Sequence, residues 1–144
     1  VLGTTGMESG ETVKAVCAAL RPARVVAVDA LACRGVERLC STVQLTDAGI
    51  APGSGVGNRR FALDRESLGV PVAAVGVPTV IDGATLAADL TGQAVPEDAP
   101  GRGLLVTPRD IDSRAADIAK VIGYAIDLAL HPGVEPEELE LLLS

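Results

Sequence analysis

Aromatic residues are almost absent from this 144-residue sequence, which has one Phe, one Tyr and no Trp. Its core must therefore be built from Val, Leu, Ile and Ala, and it lacks the platforms on which single-stranded nucleic acids stack. Basic residues are also few, since 12 Lys and Arg stand against 19 Asp and Glu and leave a net charge of −7. Phosphate binding needs clustered Lys and Arg, so we expect no direct nucleic-acid binding.

Cysteine and histidine are also scarce. The three cysteines, Cys17, Cys33 and Cys40, lack the spacing of a metal knuckle, and we expect reduced, mostly buried thiols in a cytoplasmic protein. The single histidine, His131, falls at the end of a helical pattern, where the helix dipole explains it without catalysis. Because no apolar run is long enough to cross a bilayer, we expect no membrane partner.

Apolar residues make up 48% of the sequence, enough to bury a substantial core. We expect one α/β domain over residues 1–144. The sequence starts at Val1 without a Met, and we expect it to be a portion of a longer chain.

The rest of the sequence is arranged around residues 25–28, four consecutive apolar residues followed by Asp29. The run is short and rich in Val, which predicts a strand buried on both faces of a parallel sheet. Asp29 would then lie at the carboxyl end of the strand, where open α/β sheets bind ligands. The alternative is that Asp29 caps the following turn or helix.

A second Val-rich run, residues 72–77, predicts another buried strand that Pro78 ends, with Asp82 just beyond it. A half-exposed strand is predicted over residues 41–45 and a brief one over 104–106. Helical patterns cover residues 13–20, 33–40 and 84–90, and a short amphipathic helix is predicted over 135–143. A long helix is predicted from an N-cap at Thr107 and Pro108 to the region of His131, and we expect it to cover the sheet.

Residues 47–60 form the segment of most unusual composition, with glycines at alternate positions. Gly53, Gly55 and Gly57 precede Asn58, but neither the Lys-Ser/Thr of a phosphate-binding loop nor the dinucleotide spacing is present. Backbone N–H groups there could form an anion nest, and a plain surface turn is equally compatible. We expect the loop to lie near the carboxyl end of the Asp29 strand, with its glycines serving backbone shape and no nucleotide cofactor.

Several runs together resemble the germination protease family of spore endopeptidases. They are Thr5-Gly-Met-Glu, Val28-Asp-Ala-Leu-Ala, Asp47-Ala-Gly-Ile, Pro52-Gly-Ser-Gly-Val-Gly-Asn, Gly76-Val-Pro-Thr-Val-Ile-Asp and Val106-Thr-Pro. The resemblance covers nearly all of the sequence. It implies a fold similar to hydrogenase maturation endopeptidases, a three-layer α/β/α sandwich around a mixed, largely parallel sheet.

The resemblance also implies a function. Family members cleave small acid-soluble spore proteins during germination in the cytoplasm of the spore core, and they arise from self-processing zymogens that form homo-oligomers. They use two aspartates and neither metal nor cofactor. Asp29 matches the second aspartate, while the first belongs to a loop upstream, so we expect a C-terminal portion that is inactive alone. Asp47, Asp82 and the Gly53, Gly55, Gly57 and Asn58 loop are candidate site neighbours.

Two alternatives stay open. A metal-dependent endopeptidase of the hydrogenase-maturation type would need a histidine near Asp29, and His131 lies far along the sequence. A non-catalytic assembly module would keep the fold without the first catalytic aspartate.

Overall fold

The computed structural model describes residues 9–51, 61–96 and 98–138. Two compact units make up the chain, Val1–Thr107 and Pro108–Ser144. The predicted loop at Gly53, Gly55, Gly57 and Asn58 lies outside the described residues, as does most of the predicted helix over 135–143. No helix among the described residues combines the length and apolar character that a membrane crossing needs.

The first unit alternates helices and strands along the chain. In order they are α1 Ser9–Leu20, β1 Val25–Cys33, a 3-10 helix Val36–Arg38, β2 Gln44–Thr46, α2 Arg65–Leu68, β3 Val72–Asp82, α3 Gly83–Thr91 and β4 Leu105–Val106. The 3-10 helix is much shorter than the helix predicted over 33–40, because β1 extends through Cys33.

The four described strands form one mixed sheet in which β3 is the common partner. β1 pairs with β3 in parallel from Val25 opposite Val72 to Cys33 opposite Ile81. β2 and β4 pair antiparallel with β3, near its start and at its end. The mixed α/β architecture predicted from the sequence is therefore confirmed.

β1 has two different faces, which alternate along the strand. The side chains of Val25, Ala27, Asp29 and Leu31 share one face, here called the Ala27 face. On that face Ala27 belongs to the apolar core, whose other buried members are Cys17, Leu63, Leu68 and Val72. The core therefore joins α1 and α2 to the sheet on the side to which Asp29 belongs.

The opposite face of β1, here called the Val28 face, is open. Val26 is 42% exposed and Val28 is 52% exposed. The prediction that both strands are buried on both faces is wrong for β1, because the described sheet offers nothing that covers these two valines. It holds for β3, where Val75 and Val77 are buried and so are Ala74 and Ile81.

Pro78 does not end β3, contrary to the prediction. The register slips there, since Leu31 pairs with Pro78 but Ala32 pairs with Val80, and the strand continues to Asp82. Such a bulge tolerates proline because one residue leaves the hydrogen-bonded ladder. The Pro78 carbonyl accepts a hydrogen bond from the Cys40 amide at 2.7 Å, so the local polar group is satisfied.

The second unit is dominated by α4, Ile111–Leu130, which ends at His131 as predicted. Its start differs from the prediction. Thr107 does not cap the helix, because its hydroxyl donates to the Thr79 carbonyl at 2.8 Å. The chain instead forms a turn, in which the Ile111 amide donates to the Pro108 carbonyl, before the helix begins.

Candidate active site

Asp29 lies in the middle of β1 and not at its carboxyl end. The prediction failed because the parallel pairing with β3 holds four further residues in the strand. The Asp29 side chain shares a face with Ala27, and its partner across the pair is Gly76. Asp29 therefore does not cap a helix, and the structure removes that alternative.

The carboxylate of Asp29 is incompletely satisfied. Its Oδ2 atom is buried and has no hydrogen-bond partner among the residues that the structure describes. A buried polar atom without a partner costs roughly 1–3 kcal/mol, and more when charged, so such atoms are rare unless they serve a function. Within the described sheet, Asp29 is therefore a carboxylate whose position is not explained by a contribution to stability.

Next to Asp29 on the Ala27 face, the apolar side chain of Leu31 covers Gly76. A Cβ atom on Gly76 would lie 2.8 Å from Cγ of Leu31 and closer still to Cδ1. Leu31 therefore occupies the space that a side chain at position 76 would fill, directly beside Asp29. The sequence carried a signal for this contact, because a lone glycine inside a valine-rich strand often marks a close approach.

Asp82, a predicted site neighbour, has a structural role. Its Oδ1 accepts hydrogen bonds from the Thr85 amide at 3.0 Å and the Thr85 hydroxyl at 3.2 Å, which caps α3. Its Oδ2 accepts from the Gly103 amide at 2.7 Å. The hydrogen bonds from the Thr85 and Gly103 amides hold the pKa of Asp82 below its usual value.

The strand register separates Asp82 from Asp29. Asp29 pairs with Gly76, and Asp82 follows six residues further along β3. At about 3.3 Å per residue, the two carboxylates lie roughly 20 Å apart along the strand. The structure does not bring them together.

Asp47, the other carboxylate predicted near the site, is exposed and directly follows β2. β3 lies between β2 and β1, so at least two strand spacings, about 10 Å, separate Asp47 from β1. The described part of the sheet therefore presents Asp29 without a neighbouring carboxylate from Asp47 or Asp82.

The base of the predicted glycine loop is described although the loop itself is not. Ile50 and Leu63 form an isolated antiparallel bridge, in which each amide donates to the other residue's carbonyl, at 3.0 and 2.7 Å. Leu63 is buried in the same core as Ala27, two residues before Asp29. Ile50 and Leu63 are therefore both anchored at the core on the Ala27 face.

The three cysteines and the single histidine have ordinary structural environments. All three cysteines are free, and Cys17 and Cys33 are buried, which confirms the prediction. Burial raises the pKa of the Cys33 thiol, and its Sγ donates to the Val80 carbonyl. His131 caps the carboxyl end of α4, with Nδ1 2.9 Å from the Asp127 carbonyl oxygen. No cluster of three or more metal-ligating side chains occurs within 9–51, 61–96 or 98–138.

Comparison with known proteins assigns the chain to a class of peptidases. The family model described as germination protease matches residues 1–95. The chain belongs to the germination protease family.

Relatives named germination protease show the same affiliation over most of the chain. The protein of Bacillus licheniformis is 45% identical over 95% of this chain. Those of Caldanaerobacter subterraneus and Clostridium perfringens are 40% and 37% identical over 99% and 100% of it. In each case the match covers 54% of the relative, so the chain spans about half the length of the curated relatives it matches.

Proposed function

We propose that this chain is part of a spore germination endopeptidase and supplies one of its two catalytic carboxylates, Asp29. The observation that carries the proposal is the buried Oδ2 of Asp29, which has no hydrogen-bond partner in the described part of the chain. Asp29 lies within the Val28-Asp-Ala-Leu-Ala run that resembles the family's aspartate motif. The membership of the family, whose relatives are named germination protease, supports the reaction class.

In the proposed reaction, the Asp29 carboxylate accepts a proton from water while the water oxygen attacks the carbonyl carbon of the scissile peptide bond. A second carboxyl group, from the upstream loop that the resemblance implies, polarises the carbonyl and protonates the leaving nitrogen as the C–N bond breaks. One water is consumed, and a carboxylate and an amine are formed. Two carboxyl groups in different environments can divide these roles, as in other paired-carboxylate enzymes.

The proposed substrates are small acid-soluble spore proteins, cleaved in the cytoplasm of the spore core. The resemblance is the basis for this choice, and for a self-processing zymogen that forms a homo-oligomer. The chain's net charge of −7 favours a partner that is not itself a polyanion.

The test is Asp29→Asn in the full-length protein that contains this chain. Asn keeps the size of Asp but cannot take up the proton, so cleavage of purified spore protein and self-processing should both stop. Because Oδ2 accepts no hydrogen bond in the described structure, the free energy of unfolding should change by about 1 kcal/mol or less. Gel-based digestion and thermal unfolding by circular dichroism measure the two effects.

Asp112→Asn is the matched control, because it removes the same charge from an exposed position in α4 and should leave digestion unchanged. Digestion by the Asp29→Asn variant at near the wild-type rate would contradict the catalytic role. Loss of folding in that variant would instead assign Asp29 to the stability of the sheet.

A further inference from the structure

Gly76 and Leu31 form a contact that the proposed chemistry does not by itself explain. Gly76 is buried inside β3, and a Cβ atom there would collide with the side chain of Leu31. Valine or alanine occupies most neighbouring positions of this strand, so the missing side chain is a local exception. A glycine within a strand weakens it, which makes the exception costly unless the space has a use.

The register places this contact beside the candidate catalytic carboxylate. Asp29 pairs with Gly76, and Leu31 pairs with Pro78. Side chains that are paired on neighbouring strands share a face, so all of these groups belong to the Ala27 face. The Leu31 side chain does not lie over its own partner, Pro78, but over Gly76. It is therefore about one strand spacing, roughly 4.8 Å, from the Asp29 backbone.

The Leu31 methyl groups therefore form an apolar wall beside Asp29. The Oδ2 atom of Asp29 is itself buried and lacks a hydrogen-bond partner in the described structure. A carboxylate that no hydrogen bond fixes through Oδ2 must be oriented by packing. The size of residue 31 and the absence of a side chain at position 76 then decide where its oxygens point.

We propose that Leu31 and Gly76 are positioning residues for Asp29, a role that rests on the proposed function of that carboxylate. Leu31 holds the carboxylate in its reactive orientation and keeps water from entering between the strands. Gly76 provides the space in which Leu31 lies. Gly76 is buried and Leu31 is half-buried, so we assign both residues to the chemical step and not to substrate binding.

Leu31→Ala in the full-length protein is the first test. Removing the wall should lower kcat for spore-protein cleavage about 10- to 100-fold, because small errors in the placement of a catalytic group cost that much. KM should stay within about twofold, since substrate contacts are unchanged. Leu31→Met, which keeps the volume and apolar character, should retain kcat within about threefold of wild type.

Leu68→Ala is the matched control. Leu68 is a buried leucine of the core around Ala27, and it belongs to α2 and not to the strand pair that holds Asp29 and Gly76. This variant should lower the Tm at least as much as Leu31→Ala, yet keep kcat within about twofold when assayed well below its Tm. Equal loss of kcat in the two variants would show that Leu31 acts only through stability and would overturn the proposal.

A double variant tests the shared space directly. Gly76→Ala alone should lower kcat, because its methyl group pushes Leu31 aside. In Gly76→Ala/Leu31→Ala the new methyl group enters the space that Leu31 has left, so kcat should exceed the product of the two single effects by about tenfold or more. Additive losses would contradict the proposal. If Asp29→Asn remains active, the proposed function fails as well, whereas an inactive Asp29→Asn with a normal Leu31→Ala contradicts the positioning role alone.

Discussion

A single residue, Asp82, makes the stability of the first unit depend on pH. Hydrogen bonds from the Thr85 and Gly103 amides lower its pKa in the folded chain below the ordinary value of 3.8. The folded state therefore binds the proton less readily than the unfolded state. This contribution is fully present above the unfolded pKa and is lost as the pH falls through the folded pKa.

Asp82→Ala should accordingly lower the Tm at pH 7, and the difference from wild type should shrink as the pH falls below about 4 and through the lowered pKa of Asp82. Thermal unfolding followed by circular dichroism at several pH values measures this. Asp47→Ala, at an exposed position after β2, serves as the control and should show a much smaller effect at pH 7. A Tm difference for Asp82→Ala that does not change with pH would exclude an ionic origin.

The glycines of two helices give a prediction at the scale of the element. A Cβ on Gly10, in the first turn of α1, would lie 2.6 Å from Cβ and Cδ1 of Phe61. A Cβ on Gly123, in the middle of α4, would meet no atom of the described residues within 4 Å. The same substitution should therefore have opposite effects in the two helices.

Gly10→Ala should lower the free energy of unfolding by about 1–3 kcal/mol through overpacking against Phe61. Gly123→Ala should raise it by about 0.5–1 kcal/mol, because alanine is the better residue in a helix interior. Urea denaturation measures both changes. Stabilisation by Gly10→Ala would show that α1 moves away from Phe61 without cost.

The elements could be predicted from the sequence where a local pattern and the tertiary structure agree. The valine run of β3 and the apolar period of α4 are examples, and both elements were found. The end of β1 could not be predicted, because Ala30 and Ala32 have weak strand preference and only pairing with β3 extends the strand. The prediction that Pro78 ends β3 failed for the same reason, because a bulge in the register accommodates the proline.

The candidate site was predictable only in part. Asp29 was selected as a candidate from its place after a valine run and from its match to the family's aspartate motif. Three features depend on register, which a sequence without its partner strand does not specify. They are the position of Asp29 in mid-strand, the lack of a partner for its Oδ2 among the described residues, and the contact between Leu31 and Gly76.

At the scale of the whole molecule, an apolar row crosses the sheet on the Val28 face. Val28 pairs with Val75, and Val75 pairs with Leu45, so three apolar side chains lie side by side on three strands. Val28 is 52% exposed and Leu45 is 77% exposed. Charge repulsion at −7 opposes association through such a row, and this repulsion vanishes near the isoelectric point of about 4.6.

Light scattering by the 144-residue chain should therefore be greatest near pH 4.6 and fall on either side. Leu45→Thr should reduce the scattering, because it removes the most exposed side chain of the row and keeps strand preference. Gln44→Thr is the control, since Gln44 is the exposed neighbour on the opposite face. Equal reduction by both variants would show that the row does not mediate association.

The position of β3 as the common partner of the described strands also constrains how the sheet can form. Every pair of described strands includes β3, so no such pair can form before β3 is in place. The partner of β1 lies 47 residues further along the chain, since Val25 pairs with Val72. Closing such a loop costs conformational entropy before the contacts between the strands stabilise it. The local helices can form early, but the sheet that presents Asp29 assembles only when β3 arrives, so a ribosome-bound chain that ends before Val72 carries the aspartate without its site.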